Sequence, residues 1–398
     1  MVRELSISIY LLFFKMFFTL FNTLPLKDKV TFIVSFGDNT QYVYEEMRRQ
    51  NLNYDVVFLC KGKSINLFKD YESATIIPFE TNNIIYWLKS VYHIATSHKI
   101  VVDNYFGFFA AINLRQGVET IQLWHATGAI KKFGLQDESV KFRSAKAKDR
   151  FKKVYNSLDK VIVGSDIMES IFIDAFGLDS SKLLKTGIPR TDFFFDAQKI
   201  KESKQRLFGE NQALNEKKVI LYAPTYRDNE LNQFKLQLDL EQMAKDLGDQ
   251  FVLVLRLHPA VKNNVDYSAK FPGFVFDYSS PMYEINDLLL IADILISDYS
   301  SIPFEFSLMR KPMIFYMYDL DQYKKERGIW TGMIEEFPGP IVKDTHTIVE
   351  MIQNNAFDLN MINQYARKWN KYSRGQSSKN LVSYMFNENQ AYQKQRAL

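Results

Sequence analysis

The sequence predicts an α/β protein of two doubly wound domains, each a parallel sheet with helices on both faces. Three observations carry this expectation. Short apolar runs rich in β-branched residues alternate with helical stretches, as in parallel sheets buried on both sides. The alternation breaks off at a polar segment around residues 205–215 and then begins again. The length of 398 residues also exceeds the roughly 250–300 at which a single core stops growing.

The elements follow in chain order. Ile7 to Phe21 is apolar, but Lys15 interrupts it and Ser8 and Thr19 dilute it, whereas a spanning helix wants about 20 apolar residues. A signal peptide would need a small-residue cleavage site, and FNTLPLKD is a poor one. Residues 1–25 are therefore read as an amphipathic membrane-surface helix facing the cytosol, with Arg3 and Lys15 near lipid phosphates. Packing on the protein body and a true span are the alternatives. A first domain over residues 26–208 opens with the strand VTFIVSF and the helix QYVYEEMRRQ, and continues with YDVVFLC, ATIIPF, KIVVD, ETIQLW and KVIVGS. A second domain over residues 209–360 restarts with KKVILYAP, FVLVLRLHP, GFVFD, DILISD and PMIFYM. Residues 361–398 are read as helices that could cross back to the first domain.

Composition narrows the partners. A formal charge of +4 gives no basic stripe of the kind nucleic-acid binders carry, so no nucleic-acid partner is expected. The single cysteine, Cys60, lies inside YDVVFLC; it is expected to be a buried thiol, which suits a reducing cytosol. The aromatic content of 15% points to large packed cores or to contact with lipid or sugar.

In open α/β sheets ligands bind beyond the carboxyl ends of the strands, and two such domains facing each other make a cleft. Candidate residues are therefore those that directly follow a strand. His125 does so in QLWHATGAIKKFG, with the small residues Ala126, Thr127 and Gly128 and then Lys131 and Lys132 after it. A histidine satisfied by backbone at a strand end is the plainer alternative. In VLRLHPA, Arg256 and His258 share a face in strand geometry before Pro259 ends the strand, which suits an anion site or a salt bridge.

ADILISDYSS places Ser297, Asp298, Ser300 and Ser301 at the start of an apolar helix, where hydroxyls and unpaired N–H groups can hold phosphate. FDYSSPMYEINDLLL repeats the theme with Tyr278, Ser279 and Ser280. Thr225 and Arg227 follow the strand of LYAPTYRD, and arginine matches phosphate bidentately. In TGIPRTDFF, Gly187 and Arg190 could line the cleft or form a structural turn. There is no G-x-x-x-x-G-K-[ST] loop, no G-x-G-x-x-G after the first strand, and no H-E-x-x-H or cysteine cluster. No tightly bound metal and no cofactor are expected.

Taken together, QLWHATGAIKKFG, LYAPTYRD, LRLHP, LISDYSS and YDLDQYKKERGIW, in this order, closely resemble the CDP-glycerol glycerophosphotransferases of teichoic acid synthesis. The resemblance covers about residues 28–385. It implies a GT-B architecture of two Rossmann-like domains, CDP-glycerol as donor, release of CMP, and a polyprenyl-diphosphate-linked acceptor at the cytoplasmic membrane face. The family's tryptophan-histidine motif maps to Trp124 and His125, its histidine-proline motif to His258 and Pro259, and its serine-rich helix start to Asp298, Ser300 and Ser301. Ala126 stands where the family pattern has glycine.

SFGDNTQYVYEEM looks like the primase type, and there is no large extra N-terminal region of the kind long polymerases carry. The expected activity is addition of one glycerol phosphate to the lipid-linked N-acetylmannosaminyl–N-acetylglucosamine disaccharide. A chain-extending or second-unit transferase is the runner-up, and a sugar-nucleotide glycosyltransferase or a non-catalytic scaffold is the reading from another class. On the primase reading His125 is the general base, His258, Arg256, Arg227, Thr225 and the serine-rich start hold the diphosphate, and Asp103, Asn104 and Trp124 face the acceptor. Association with other enzymes of teichoic acid synthesis is also expected.

Overall fold

The computed structural model describes residues 2–227, 234–258 and 260–396. Pro259, expected to end a strand and complete the histidine-proline motif, lies outside the described residues. The chain forms two compact units, one of Met1–Ala126, Phe133–Asp192 and Tyr372–Leu398, the other of Thr127–Lys132 and Phe193–Lys371.

The first unit is built on β1 (Lys27–Val34), β2 (Asp55–Lys61), β3 (Thr75–Phe79), β4 (Ser97–Val102), β5 (Glu119–Gln122), β6 (Lys160–Ile162) and β7 (Leu183–Leu184). Their order is β3-β2-β1-β4-β5-β6-β7 and every pairing is parallel. The last strand is only two residues long, too short to show as an apolar run. β1 is buried from Lys29 onward, as a central strand covered on both faces must be. Val30, Phe32 and Val34 pack with Phe58, Val43 and Met47, and Leu381, Val382, Met385 and Phe386 of the C-terminal helix close the same core. That helix, Ser377–Arg396, is fastened at its start by Asp192, whose carboxylate accepts the Ser377 and Ser378 N–H groups at 2.8 Å each. Cys60 on β2 is buried, and burial pushes its thiol up to about 12.

The second unit repeats the arrangement with β8 (Lys218–Ala223), β9 (Phe251–Leu255), β10 (Val275–Asp277), β11 (Ile294–Ser297), β12 (Met313–Tyr316) and β13 (Ile341–Val342). The order β10-β9-β8-β11-β12-β13 is again all parallel. In both sheets the strand order reverses beside the first strand, where doubly wound folds bind ligands. The helix Ala197–Glu210 belongs with the second unit, because Ser203 and Arg206 bond to Asp287 at 2.7 and 2.6 Å. The chain therefore leaves the first unit after Asp192, ahead of the boundary expected at 208 in the polar 205–215 segment. It re-enters at Tyr372 rather than at 361, since the helix Leu359–Trp369 buries Tyr365 and Trp369 against Phe304 of the second unit.

The Val2–Phe21 helix is long and apolar enough, by length and composition, to cross a bilayer. One stripe of it is committed to the first unit. Phe14 is buried, stacked on Phe108 at 4.6 Å and edge-on to Trp87 at 5.9 Å, and Phe18 is buried too. The opposite stripe is bare, with Leu5 62%, Leu12 66% and Leu20 61% exposed.

Candidate active site

The two switch points are built alike. In the first unit Asp103 directly follows β4, and its buried carboxylate accepts the N–H groups of Ser35, Phe36 and Gly37, the residues that follow β1, at 2.8 Å each. In the second unit Asp298 directly follows β11, and its buried carboxylate accepts the Thr225 N–H, two residues past β8, at 2.8 Å. Burial pushes Asp103 up to about 6 against the pull of its three N–H donors, and burial likewise raises Asp298 against the pull of Arg227. Both aspartates are struts that fix the loops after the strands. Asp103 was expected on the acceptor side and Asp298 among the phosphate ligands, but their oxygens are spent on protein N–H groups.

His125 stands three residues beyond β5. Its ring is half-buried, stacked on Phe36 at 4.1 Å and packed against Trp124 at 4.3 Å. Nδ1 lies 3.3 Å from the Asp103 carbonyl oxygen. A carbonyl only accepts, so Nδ1 carries the proton and Nε2 the lone pair.

The turn that delivers this ring is held from three sides. Trp124 has φ +55°, a left-handed conformation that costs a large residue energy unless its surroundings enforce it. The enforcement comes from its own N–H, which donates to Gln122 Oε1 at 2.9 Å, and from Asn39 Nδ2, which donates to its carbonyl at 3.0 Å. The indole sits against Phe133, Phe172 and Phe176, so Trp124 is a packing anchor for its neighbour. Arg190 Nη1 then donates to the His125 carbonyl at 2.9 Å, and the Arg190 N–H donates to Asn39 Oδ1 at 3.0 Å. Asn104 turns its side chain back onto the Tyr105 N–H at 2.8 Å rather than outward.

Gly187 does not line this site. At φ +85°, a Cβ there would overlap Ser377 Oγ and the Tyr372 carbonyl. The turn alternative holds for it, and Gly187→Ala is expected to destabilise the first unit by at least about 2 kcal/mol, from left-handed strain plus overpacking. Thermal unfolding with the near-ultraviolet signal of the unit's tryptophans checks it. An unchanged midpoint would contradict the packing.

In the second unit Arg227 is clamped. Nε and Nη2 donate to the two oxygens of Asp319 at 2.7 and 3.1 Å, and Nη1 donates to the Thr225 carbonyl at 2.7 Å and to Asp298 Oδ2 at 3.0 Å. Tyr299, Tyr318 and Tyr323 surround the guanidinium at 5.0–5.5 Å, and Tyr299 Oη donates to Asp319 Oδ1 at 3.0 Å. Burial works against the cation, but Asp319 and Asp298 prevail and raise its pKa. The bidentate face expected for phosphate is thus occupied by Asp319. Thr225 takes part through its backbone N–H.

β9 ends at Leu255, so Arg256 and His258 lie in the loop beyond it and the shared-face argument does not apply. Arg256 Nη1 donates to the carbonyls of Tyr278, Ser279 and Ser280 at 3.3, 2.7 and 3.1 Å, with no carboxylate partner among the described residues. Ser279 Oγ in turn accepts the Leu257 N–H at 2.9 Å. Tyr278 is buried and stacked on Tyr283 at 4.2 Å. Tyr278 and Ser279 therefore shape the loop, and His258 is what the loop presents. Its ring is packed on Tyr226 at 4.6 Å, and Nδ1 accepts the Ala260 N–H at 3.1 Å. Partial desolvation, then Lys131 and Arg256, lower its pKa. The neutral ring must then carry its proton on Nε2, the reverse of His125.

The helix after LISDYSS runs only from Ile302 to Phe306, so its dipole is that of little more than one turn. Ser300 Oγ accepts the Ile302 N–H at 3.3 Å, and Ser301 makes no side-chain cap; both are half-buried hydroxyls at the end of β11. No group of three or more His, Cys, Asp or Glu that could hold a metal occurs among the described residues.

Two residues in quoted motifs carried more than was assigned to them. Asn39, in SFGDN, joins Arg190 to the turn before His125, and Asp319, in YDLDQ, holds Arg227. A polar residue three positions past a strand was the available signal for Asp319, but its partner lies 92 positions away.

With this geometry in view, known proteins place the chain. The CDP-glycerol:poly(glycerophosphate) glycerophosphotransferase family matches residues 16–387. The teichoic acid glycerol-phosphate primase of Bacillus subtilis (strain 168) is 36% identical over 388 residues, 97% of this chain and 99% of the relative. The teichoic acid poly(ribitol-phosphate) polymerase of Bacillus spizizenii (strain W23) is 31% identical over 390 residues, 96% of this chain and 59% of the relative. The structure of the wall teichoic acid polymerase TagF superposes with a TM-score of 0.78 at 25% identity, covering 98% of this chain and 97% of that one. Sequence similarity over nearly the whole chain and the matching fold converge, and the chain belongs to the CDP-glycerol:poly(glycerophosphate) glycerophosphotransferase family.

Proposed function

We propose that the protein is a teichoic acid glycerol-phosphate primase, which moves glycerol phosphate from CDP-glycerol to a lipid-linked disaccharide and releases CMP. The observation that carries the subtype is identity, 36% to a glycerol-phosphate primase against 31% to a polymerase.

The two histidine tautomers supply complementary chemistry. A hydroxyl of the acceptor sugar attacks the glycerol-bearing phosphorus in line. His125 Nε2 takes the hydroxyl proton, the new O–P bond forms, and the P–O bond to CMP breaks. His258, with its proton on Nε2, donates to a phosphoryl oxygen and stabilises the charge on departing CMP. Arg256, Arg227 and the Asp298 strut hold the donor loops in place, and the Ser300 and Ser301 hydroxyls are assigned to the diphosphate. The reading assigns the acceptor to the first unit and the donor to the second, and it invokes no resident cofactor. It also places the bare stripe of the Val2–Phe21 helix on the cytoplasmic membrane surface, near the lipid-linked acceptor.

A glycosyltransferase on the same fold would use a sugar nucleotide instead. Incubation with CDP-glycerol or with UDP-sugars, each with a lipid-linked disaccharide, separates the two. CMP release from CDP-glycerol alone is expected, and UDP release would sink the reading.

A further inference from the structure

The first unit holds a cavity of about 240 Å³ beneath the N-terminal helix, with Arg3, Arg143 and Arg150 on its walls and Tyr10, Phe108 and Phe151 as its apolar lining. It is smaller than the roughly 300–1,000 Å³ of sites that enclose a whole drug-sized ligand. A head group fits, with only the start of any chain attached to it.

The charges around it are unevenly spent. Arg150 is held by Glu4 through two bonds of 3.2 Å, and Glu80 pairs with Lys61. Arg3 and Arg143 have no ion pair with a carboxylate among the described residues, and the Arg143 guanidinium lies 5.1 Å from the centre of the Phe151 ring. Two cations beside an aromatic lining suit an anion that carries an apolar group. The helix that brings Arg3 and Tyr10 to the cavity also exposes Leu5, Ile9 and Leu12, and Phe142, next to Arg143, is 90% exposed. A long apolar chain leaving the cavity would therefore find apolar surface. The loop after β4 also links the cavity to His125. Tyr105 lines it, and two residues earlier the Asp103 carbonyl holds His125 Nδ1.

We infer that this cavity binds the diphosphate of an isoprenoid-linked acceptor together with the first part of its chain, an inference that rests on the acceptor being lipid-linked as proposed above. The test measures binding of farnesyl diphosphate to the full chain by calorimetry, without CDP-glycerol, beside farnesol and inorganic pyrophosphate. Farnesyl diphosphate should bind at least about tenfold more tightly than either part alone. Arg143→Ala and Arg3→Ala should each weaken it roughly tenfold, the loss of one charge-assisted contact, and Arg143→Lys should restore part of it. Pyrophosphate binding as well as farnesyl diphosphate, or affinity unchanged in both alanine variants, overturns the inference.

A second arm uses phosphatidylcholine vesicles with and without phosphatidylglycerol. Should Arg143→Ala weaken only the binding to phosphatidylglycerol vesicles, the arginines serve a bilayer headgroup and the inference also fails. Neither arm requires turnover, so its failure is distinct from absence of CMP release, which would remove the primase reading itself.

Discussion

His125→Ala is expected to lower kcat by about a hundred- to ten-thousandfold, the usual contribution of a positioned general base, with little change in the affinity for CDP-glycerol. The argument rests on the Asp103 carbonyl, which fixes the proton on Nδ1 and leaves the lone pair on Nε2. The ring stacks on Phe36 and packs against Trp124 at a half-buried position, so its loss should cost the fold little. His125→Gln separates the roles. Glutamine can donate to a phosphate but cannot take a proton, so it should be as inactive as alanine. Substantial turnover by the glutamine variant would make His125 a phosphate ligand instead.

Arg227→Ala should give the largest loss of stability in the second unit, about 3–5 kcal/mol, because it strands two carboxylates. Asp298 and Asp319 both face the guanidinium, with side chains only 3% and 17% exposed. A loss of that size lowers the unfolding midpoint by roughly 6–20 °C for a unit of this size. Arg227→Lys should recover only part of it, since an ammonium cannot bridge both oxygens of Asp319 while reaching Asp298 and the Thr225 carbonyl. Adding Asp298→Asn to Arg227→Ala should restore some of the midpoint by removing one stranded charge. If the double variant were no more stable than the single one, the clamp would not be electrostatic.

The contrast between these two residues shows what the sequence could reveal. Strand positions were legible because a parallel sheet covered on both faces leaves continuous apolar runs such as VTFIVSF, and the rule that ligands lie past strand ends led directly to His125. β7 and β13, two residues each, are too short to leave such a run. The end of β9 was placed late because Leu257 extends the apolar alternation past Leu255, where strand pairing stops. The site residues divide along the same line. His125 and His258 were singled out because each follows a strand, and the structure places both rings in the loops beyond strand ends. Arg227, Asp298, Asp103 and Tyr278 read equally well as ligands, and only three-dimensional partners distant in the chain show that they hold loops. Gly187 was ambiguous for a related reason, because the surface it packs on comes from residues 372–377.

The central claim is that this chain adds a single glycerol phosphate to a lipid-linked disaccharide. Mass analysis of the product from CDP-glycerol and a disaccharide-lipid analogue tests it most directly. The account predicts one added glycerol phosphate with one CMP released per acceptor, at any excess of donor. A ladder of products lengthening with donor concentration would contradict it and make the protein a polymerase.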